Sequence, residues 1–235
     1  MLLWGGKPRF ALVSLGLPKN AKTKEVTQLY RGFADACREL EIDIIGGDTN
    51  LAKEWIINIT LLGERSEGKV LTRAGARVGD DIYVTGHLGD SALGLWLLKN
   101  KKEGSRFIRQ HFEPPCRISV GQKLARTWGV SSMMDISDGL QGDLEHILKA
   151  SHVSAQIIPN QLPLNPHYML RCREEKIDPF TLAMTGGEDY ELLFTVSPRV
   201  KLPYKIDGIP LTKIGKIIPF NPNQKKLKSH GYRHF

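Results

Sequence analysis

The stretch "MMDISDGLQGDLEHIL", Met133 to Leu148, runs an apolar segment into two aspartates, Asp135 and Asp138, then Gly139, then a helical pattern. An aspartate beside a buried segment is costly unless something pairs with it. Leu140, Leu144, Ile147 and Leu148 fall on one side of a helix, which makes them its inward face. The stretch therefore reads as strand, glycine turn, helix, with carboxylates at the junction. Asp138 suits the cap of a helix beginning near Leu140. Asp135 does not fit that role, because it lies three residues earlier in a strand-like run.

On both sides of this junction, strand-like and helical patterns alternate. "DIYVTG" reads as a strand, "HLGDS" as a turn and "ALGLWLLK" as the start of a helix. "SVGQKLARTWG", "SSMMDIS", "LQGDLEHILKAS" and "SAQIIP" continue the alternation, and "IPLTKIGKIIPFNPNQKKL" reads as short strands ending in a polar turn. This predicts a layered α/β or α+β domain, helices on a mixed sheet, over residues 78–235. Residues 1–77 read as a separate α+β part. "RFALVSLGLP" is a strand stopped by Pro18, and Val26, Leu29, Tyr30, Phe33, Cys37 and Leu40 keep helical spacing. "IDIIGGDTN" is a strand ending in a Gly-Gly-Asp turn, "EWIINITLLGE" a further strand, and "LTRAGARVGDD" a connector.

Three stretches join glycine to carboxylate beside an apolar strand. They are Gly46, Gly47 and Asp48; Asp135, Asp138 and Gly139; and Gly186, Gly187, Glu188 and Asp189. Glycine allows close backbone approach to a ligand. Converging carboxylates repel unless a cation lies among them, and hard oxygen ligands suit Mg²⁺ in phosphoryl-transfer sites. Each motif also has an ordinary reading: Asp138 as a cap, Asp48 as a turn residue, Glu188 and Asp189 as a solvated strand entry. "GHLGDSALG", Gly86 to Gly94, is a glycine turn where helix amides could hold an anion, or simply a tight turn.

Composition excludes several classes. The chain has 235 residues, 41% of them hydrophobic and 25% charged, as in ordinary globular proteins. No apolar run is long enough to span a bilayer, and the first residues lack a signal-peptide pattern. Cys37, Cys116 and Cys172 are far apart, so neither a disulfide framework nor a zinc site is supported, and a reducing cytoplasm is the expected location. The net charge of +8 comes from scattered lysines and arginines without a recognition-helix or RNP-like signature, so no nucleic-acid partner is expected. A P-loop, the protein-kinase set and GxSxG are absent. His111 and His146 have no metal-ligand spacing and read as surface or packing residues.

Together, "GGDT", "TRAGARVGDDIYVTGHLGDSALGL", "MDISDGLQGDL" and "TGGEDYELLFT" resemble the thiamine-monophosphate kinases. These belong to a superfamily with aminoimidazole ribonucleotide synthetase, selenophosphate synthetase and a hydrogenase maturation protein. "SDGL" alone marks only the superfamily, whereas its combination with "GGEDYELLF" points to the kinases. The resemblance covers essentially the whole chain and includes the closing "GYRHF". It implies a two-domain aminoimidazole ribonucleotide synthetase-like fold. It also implies Mg²⁺-dependent transfer of the γ-phosphoryl of ATP onto thiamine monophosphate, giving thiamine diphosphate and ADP. A sibling ATP-dependent synthetase or a non-catalytic binding protein remains the alternative.

By the same resemblance, Asp48, Asp135 and Asp138 are implied Mg²⁺ ligands. Tyr30, Gly47, Arg73 and Ser137 are implied ATP contacts, and Glu188 and Tyr232 implied thiamine contacts. A homodimer built through the N-terminal domain is implied, with no membrane partner. In the family a longer N-terminal stretch with further metal and substrate motifs precedes the segment matched here. The resemblance therefore implies a truncated N-terminal domain and little activity for the 235-residue chain alone.

Overall fold

The computed structural model describes residues 5–65 and 68–222, so Tyr232 lies outside the described residues. The described chain forms two compact units, residues 6–65 and residues 68–222. In the first, β1 (Gly6–Leu17) is the central strand of three. It pairs parallel with β2 (Asp43–Leu51) and antiparallel with β3 (Ile56–Arg65). A parallel pair needs a crossover, and α1 (Thr23–Leu40) supplies it. Glu25 caps the start of α1 by accepting the Lys22 N–H at 2.9 Å. Glu41 in the left-handed region closes its end. Val26, Leu29, Phe33, Cys37 and Leu40 form the half-buried stripe that their spacing predicts, while Tyr30 is exposed and meets Phe33 edge-on.

Ala11, Val13 and Leu15 are buried on one side of β1. β2 and β3 are exposed along their whole lengths, and Ile44, Ile45, Ile56, Ile57, Ile59 and Leu61 leave apolar surface uncovered. One expectation is corrected here. Gly46, Gly47 and Asp48 do not form a turn at a strand end but lie within β2, paired with Leu12, Val13 and Ser14. The pairing passes a bulge after Ala11 and then continues. A Cβ on Gly47 would lie 1.8 Å from the Val13 carbonyl oxygen, so glycine is what lets the two backbones run this close.

The second unit holds a sheet in the order β5-β7-β4-β9-β6, with β8 beside β9. Its strands are β4 (Asp81–Thr85), β5 (Val130–Asp135), β6 (Ser154–Ile157), β7 (Leu192–Val196), β8 (Lys205–Ile206) and β9 (Ile209–Ile218). Every pairing is antiparallel, where a mixed sheet was expected, and the tail read as several short strands is the single ten-residue β9. The helices are α2 (Asp90–Lys99), α3 (Ser105–Phe112), α4 (Ile118–Arg126), α5 (Leu140–Ser151), α6 (Pro166–Glu174) and α7 (Pro179–Thr185).

Both faces of this sheet are covered, which explains runs such as "LLFTV" without polar alternation. Ile82, Val84, Met134 and Leu193 pack with α2, α5, α6 and α7 in one core. Met133, Leu192, Phe194 and Val196 pack with Val120 and Leu124 of α4 in another. Among the described residues no helix is long and apolar enough to cross a membrane.

Candidate active site

At the top of β5 the chain leaves Asp135 and passes Ile136, Ser137 and Asp138 before entering α5 at Leu140. Gly139 occupies the cap position with φ 104°, a conformation that L side chains rarely adopt. The helix therefore starts without a side-chain cap, and Asp138 is not used as one. Leu140, Leu144 and Ile147 point inward as their spacing predicts. So does Asp143, which is 1% exposed. Its Oδ2 accepts the backbone N–H groups of Ser137 at 2.9 Å and Asp138 at 3.0 Å. Burial pushes the Asp143 carboxyl up to about 6; those two N–H groups oppose the shift, while Asp138 and Asp135 add to it.

The second loop runs from Gly186 to Tyr190, between α7 and β7, and is bonded directly to the first. Glu188 N–H donates to the Ser137 carbonyl at 2.8 Å, and Tyr190 N–H to the Ile136 carbonyl at 2.9 Å. The loops meet so closely that a Cβ on Gly187 would lie 2.4 Å from the Ser137 oxygen. Glu188 and Tyr190 both sit at positive φ, 64° and 50°. Non-glycine residues hold that conformation only where surroundings fix it. The Tyr190 phenol is raised by burial first, and the carboxylates of Glu188, Asp135 and Asp138 add to the shift.

Beneath the loops lies a buried polar layer. Glu191, 3% exposed, accepts two bonds from Arg117, each 2.6 Å, and one from Thr85 Oγ1 at 2.5 Å. Asp189 is equally buried and accepts the Gly89 N–H at 2.9 Å, tying the Gly86 to Gly94 turn to this loop. Burial pushes its carboxyl up to about 8, with Asp90 and Glu191 adding and the Gly89 and Ser91 N–H groups opposing. The Asp189 half of a solvated strand entry is thus corrected: burial and a capping bond hold it inside. Glu188 remains half-exposed, its side chain 51% accessible.

The structure gathers Asp135, Ser137, Asp138 and Glu188 on these two loops. Arg73 is exposed on the connector beside β5, where the neighbouring Thr72 carbonyl accepts the Met133 N–H at 3.0 Å. In the first unit, Asp48 uses Oδ1 for the Thr49 N–H and Oδ2 for the Asn50 amide, each at 2.8 Å. Gly47 precedes it on β2, and Tyr30 lies on α1.

The two carboxylates of one cluster suit a hard cation, while its imidazole is a softer donor. Asp138, Asp143 and the exposed His146 each offer a ligand atom, all within 4.8 Å of one another. Carboxylate oxygens of this kind suit Mg²⁺. Asp143 was not singled out from the sequence, and His146 was read there as a surface or packing residue without metal-ligand spacing, whereas it stands beside two carboxylates. The readable signal is Asp143 standing in the apolar stripe of Leu140, Leu144 and Ile147, with His146 three residues on, the spacing that brings helix side chains together.

Comparisons with known proteins agree with this architecture. Residues 1–65 match the family described as "AIR synthase related protein, N-terminal domain", and residues 77–219 match its C-terminal domain. The chain is 34% identical to thiamine-monophosphate kinase of Aquifex aeolicus over 98% of its own length and 76% of that protein's. It is 33% identical to the Bacillus subtilis thiamine-monophosphate kinase, with the same two coverages. A solved structure described as "AaThiL complexed with AMPPCP and TMP" superposes with a TM-score of 0.90 at 33% identity, covering 100% of this chain and 76% of that one. With two interlocked acidic loops in the matched C-terminal domain and this degree of identity over nearly its whole length, the chain belongs to the AIR synthase-related family and, within it, to the thiamine-monophosphate kinases.

Proposed function

We propose that the chain transfers the γ-phosphoryl group of ATP onto the phosphate of thiamine monophosphate, giving thiamine diphosphate and ADP. The observation that carries this reading is the bonded meeting of the Ser137 and Glu188 loops, one of which follows Asp135 and contains Asp138 while the other contains Glu188. Donor and acceptor are both anionic, so charge must be screened before they can approach. Mg²⁺ supplies that screening when bound, and Asp135, Asp138 and Asp48 are the residues assigned to hold it. Ser137, Gly47, Arg73 and Tyr30 are assigned to ATP. Glu188 and Tyr232 are assigned to the thiamine moiety.

No side chain need form a covalent bond to phosphorus. Positioning and charge stabilisation carry reactions of this class. The backbone of the two loops fits that demand, because the N–H groups of Ser137, Asp138, Glu188 and Tyr190 are all bonded. The uncovered apolar surface of β2 and β3 supports a homodimer formed through the first unit. The separated, unpaired cysteines support a cytoplasmic location.

The test is direct. Purified chain is incubated with ATP, Mg²⁺ and thiamine monophosphate, and thiamine diphosphate is measured. Formation that stops on chelating Mg²⁺, and in Asp138→Ala, supports the reading. ATP turnover without thiamine diphosphate, or with a different acceptor, overturns it.

A further inference from the structure

His111 closes the last turn of α3, and its ring reaches the loop of Glu188. Its Nδ1 lies 3.2 Å from Glu188 Oε2 and 3.1 Å from Ser91 Oγ. A carboxylate only accepts hydrogen bonds. Nδ1 therefore serves Glu188 only in the tautomer or charge state that puts the proton on it, and its role toward the Ser91 hydroxyl, donor or acceptor, follows the same choice.

The surroundings make this more than a surface pair. Ser91 is fully buried in the first turn of α2. α3 is seated against α2 so closely that a Cβ on Gly94 would fall 2.1 Å from the Phe107 carbonyl oxygen. The ring itself is mostly enclosed, its side chain 14% accessible, whereas that of Glu188 is 51% accessible. On the other side, the Glu188 backbone is fixed at φ 64° by its bond to Ser137. Both ends of the contact are thus set by the scaffold. Only the Glu188 side-chain torsions remain, and a free glutamate has much rotamer entropy to lose on binding a ligand.

We infer that His111 is a positioning residue of the acceptor site: its Nδ1–H holds the Glu188 carboxylate in place for the cationic, amino-bearing thiamine moiety. The inference rests on the kinase reading given above. Preorganising a charged group lowers the cost of binding without adding a contact of its own. His111 therefore acts on grip for the acceptor, and not on ATP.

Three variants test this in the full chain: His111→Ala, His111→Asn and Glu188→Gln. Steady-state kinetics should show His111→Ala raising the KM for thiamine monophosphate about tenfold, as loss of a charge-assisted bond predicts. The KM for ATP should stay within about twofold on the same scale. Asparagine places an amide N–H near the position of Nδ1 and should restore most of the loss. In the ligand-free protein, imidazole ¹⁵N spectra should show the His111 proton on Nδ1 and its redistribution in Glu188→Gln.

An unchanged KM for thiamine monophosphate, or a parallel rise for both substrates, overturns the inference. A His111 spectrum indifferent to Glu188→Gln overturns it as well, whatever the activity. If the spectrum responds but wild type makes no thiamine diphosphate, the kinase reading falls and the acceptor role of His111 falls with it, although the contact stands.

Discussion

The backbone N–H of Glu188 donates to the carbonyl of Ser137 at 2.8 Å. Two motifs 51 positions apart are thereby made into one surface, and the carboxylates they carry cannot be moved independently. Most predictions about the site follow from disturbing that junction or its supports.

Gly187→Ala should force the loops apart, because the new Cβ would stand 2.4 Å from a backbone oxygen that cannot rotate away. We expect loss of most kinase activity and a lower melting temperature. Gly32→Ala is the control: it lies in exposed α1 with nothing within 4 Å, so it should be neutral or stabilise by up to about 1 kcal/mol. Thermal melts of both variants decide the matter.

Asp143→Ala should leave the Ser137 and Asp138 N–H groups without their acceptor. An unsatisfied buried donor costs about 1–3 kcal/mol, so a stability loss of that order is expected, with weaker Mg²⁺ dependence of turnover. Asp143→Asn keeps one acceptor oxygen and should lose less. Urea midpoints and Mg²⁺ titrations of activity separate the two effects.

Arg117→Ala should be among the most damaging single changes in the second unit. It strands the Glu191 carboxylate, whose side chain is 4% accessible, and breaking a buried pair from one side costs about 3–5 kcal/mol. Removing both partners should cost less than the sum of the single changes, which a double-mutant cycle on denaturation midpoints would show.

Asp189 predicts a pH dependence. Its folded carboxyl is pushed up to about 8, above the ordinary value of 3.8. Between those values the folded chain binds a proton that the unfolded chain releases. The stability contributed by this group is therefore full below pH ~4 and declines as pH rises towards pH ~8. Asp189→Asn should remove that decline. Denaturation midpoints of both proteins across this range should diverge; parallel curves would contradict the assignment.

Much of this was legible in the sequence because apolar spacing reported it. The strand-turn-helix at Met133 to Leu148 appears with Leu140, Leu144 and Ile147 inward. The α1 stripe is similarly half-buried. What escaped has physical reasons. The glycines of "GGDTN" resemble turn residues, yet they serve a parallel pairing with β1 that only the partner strand reveals. Helices α3, α6 and α7 are only eight, nine and seven residues long, too short to stand out in the sequence, and His111 on α3 read as a surface or packing residue. Its contact with Glu188 spans 77 positions of sequence and no local pattern encodes it. Antiparallel pairing in the second unit was hidden because both sheet faces are covered, giving the unbroken apolar strands more usual in parallel sheets.

That double coverage has a consequence for β7. A strand apolar on both sides carries no inside-outside code, so burial alone would resist a one-residue slip only weakly. The alignment is instead pinned by polar anchors at its two ends. Glu191 is clamped by Arg117 and Thr85 just before the strand, and Thr195 Oγ1 lies 2.6 Å from the Ser131 hydroxyl and 2.7 Å from that of Ser132. The phase in which Glu188 meets Ser137 is thus dictated by a few buried hydrogen bonds, and loosening them would put the right residues on the wrong faces while leaving the core just as greasy.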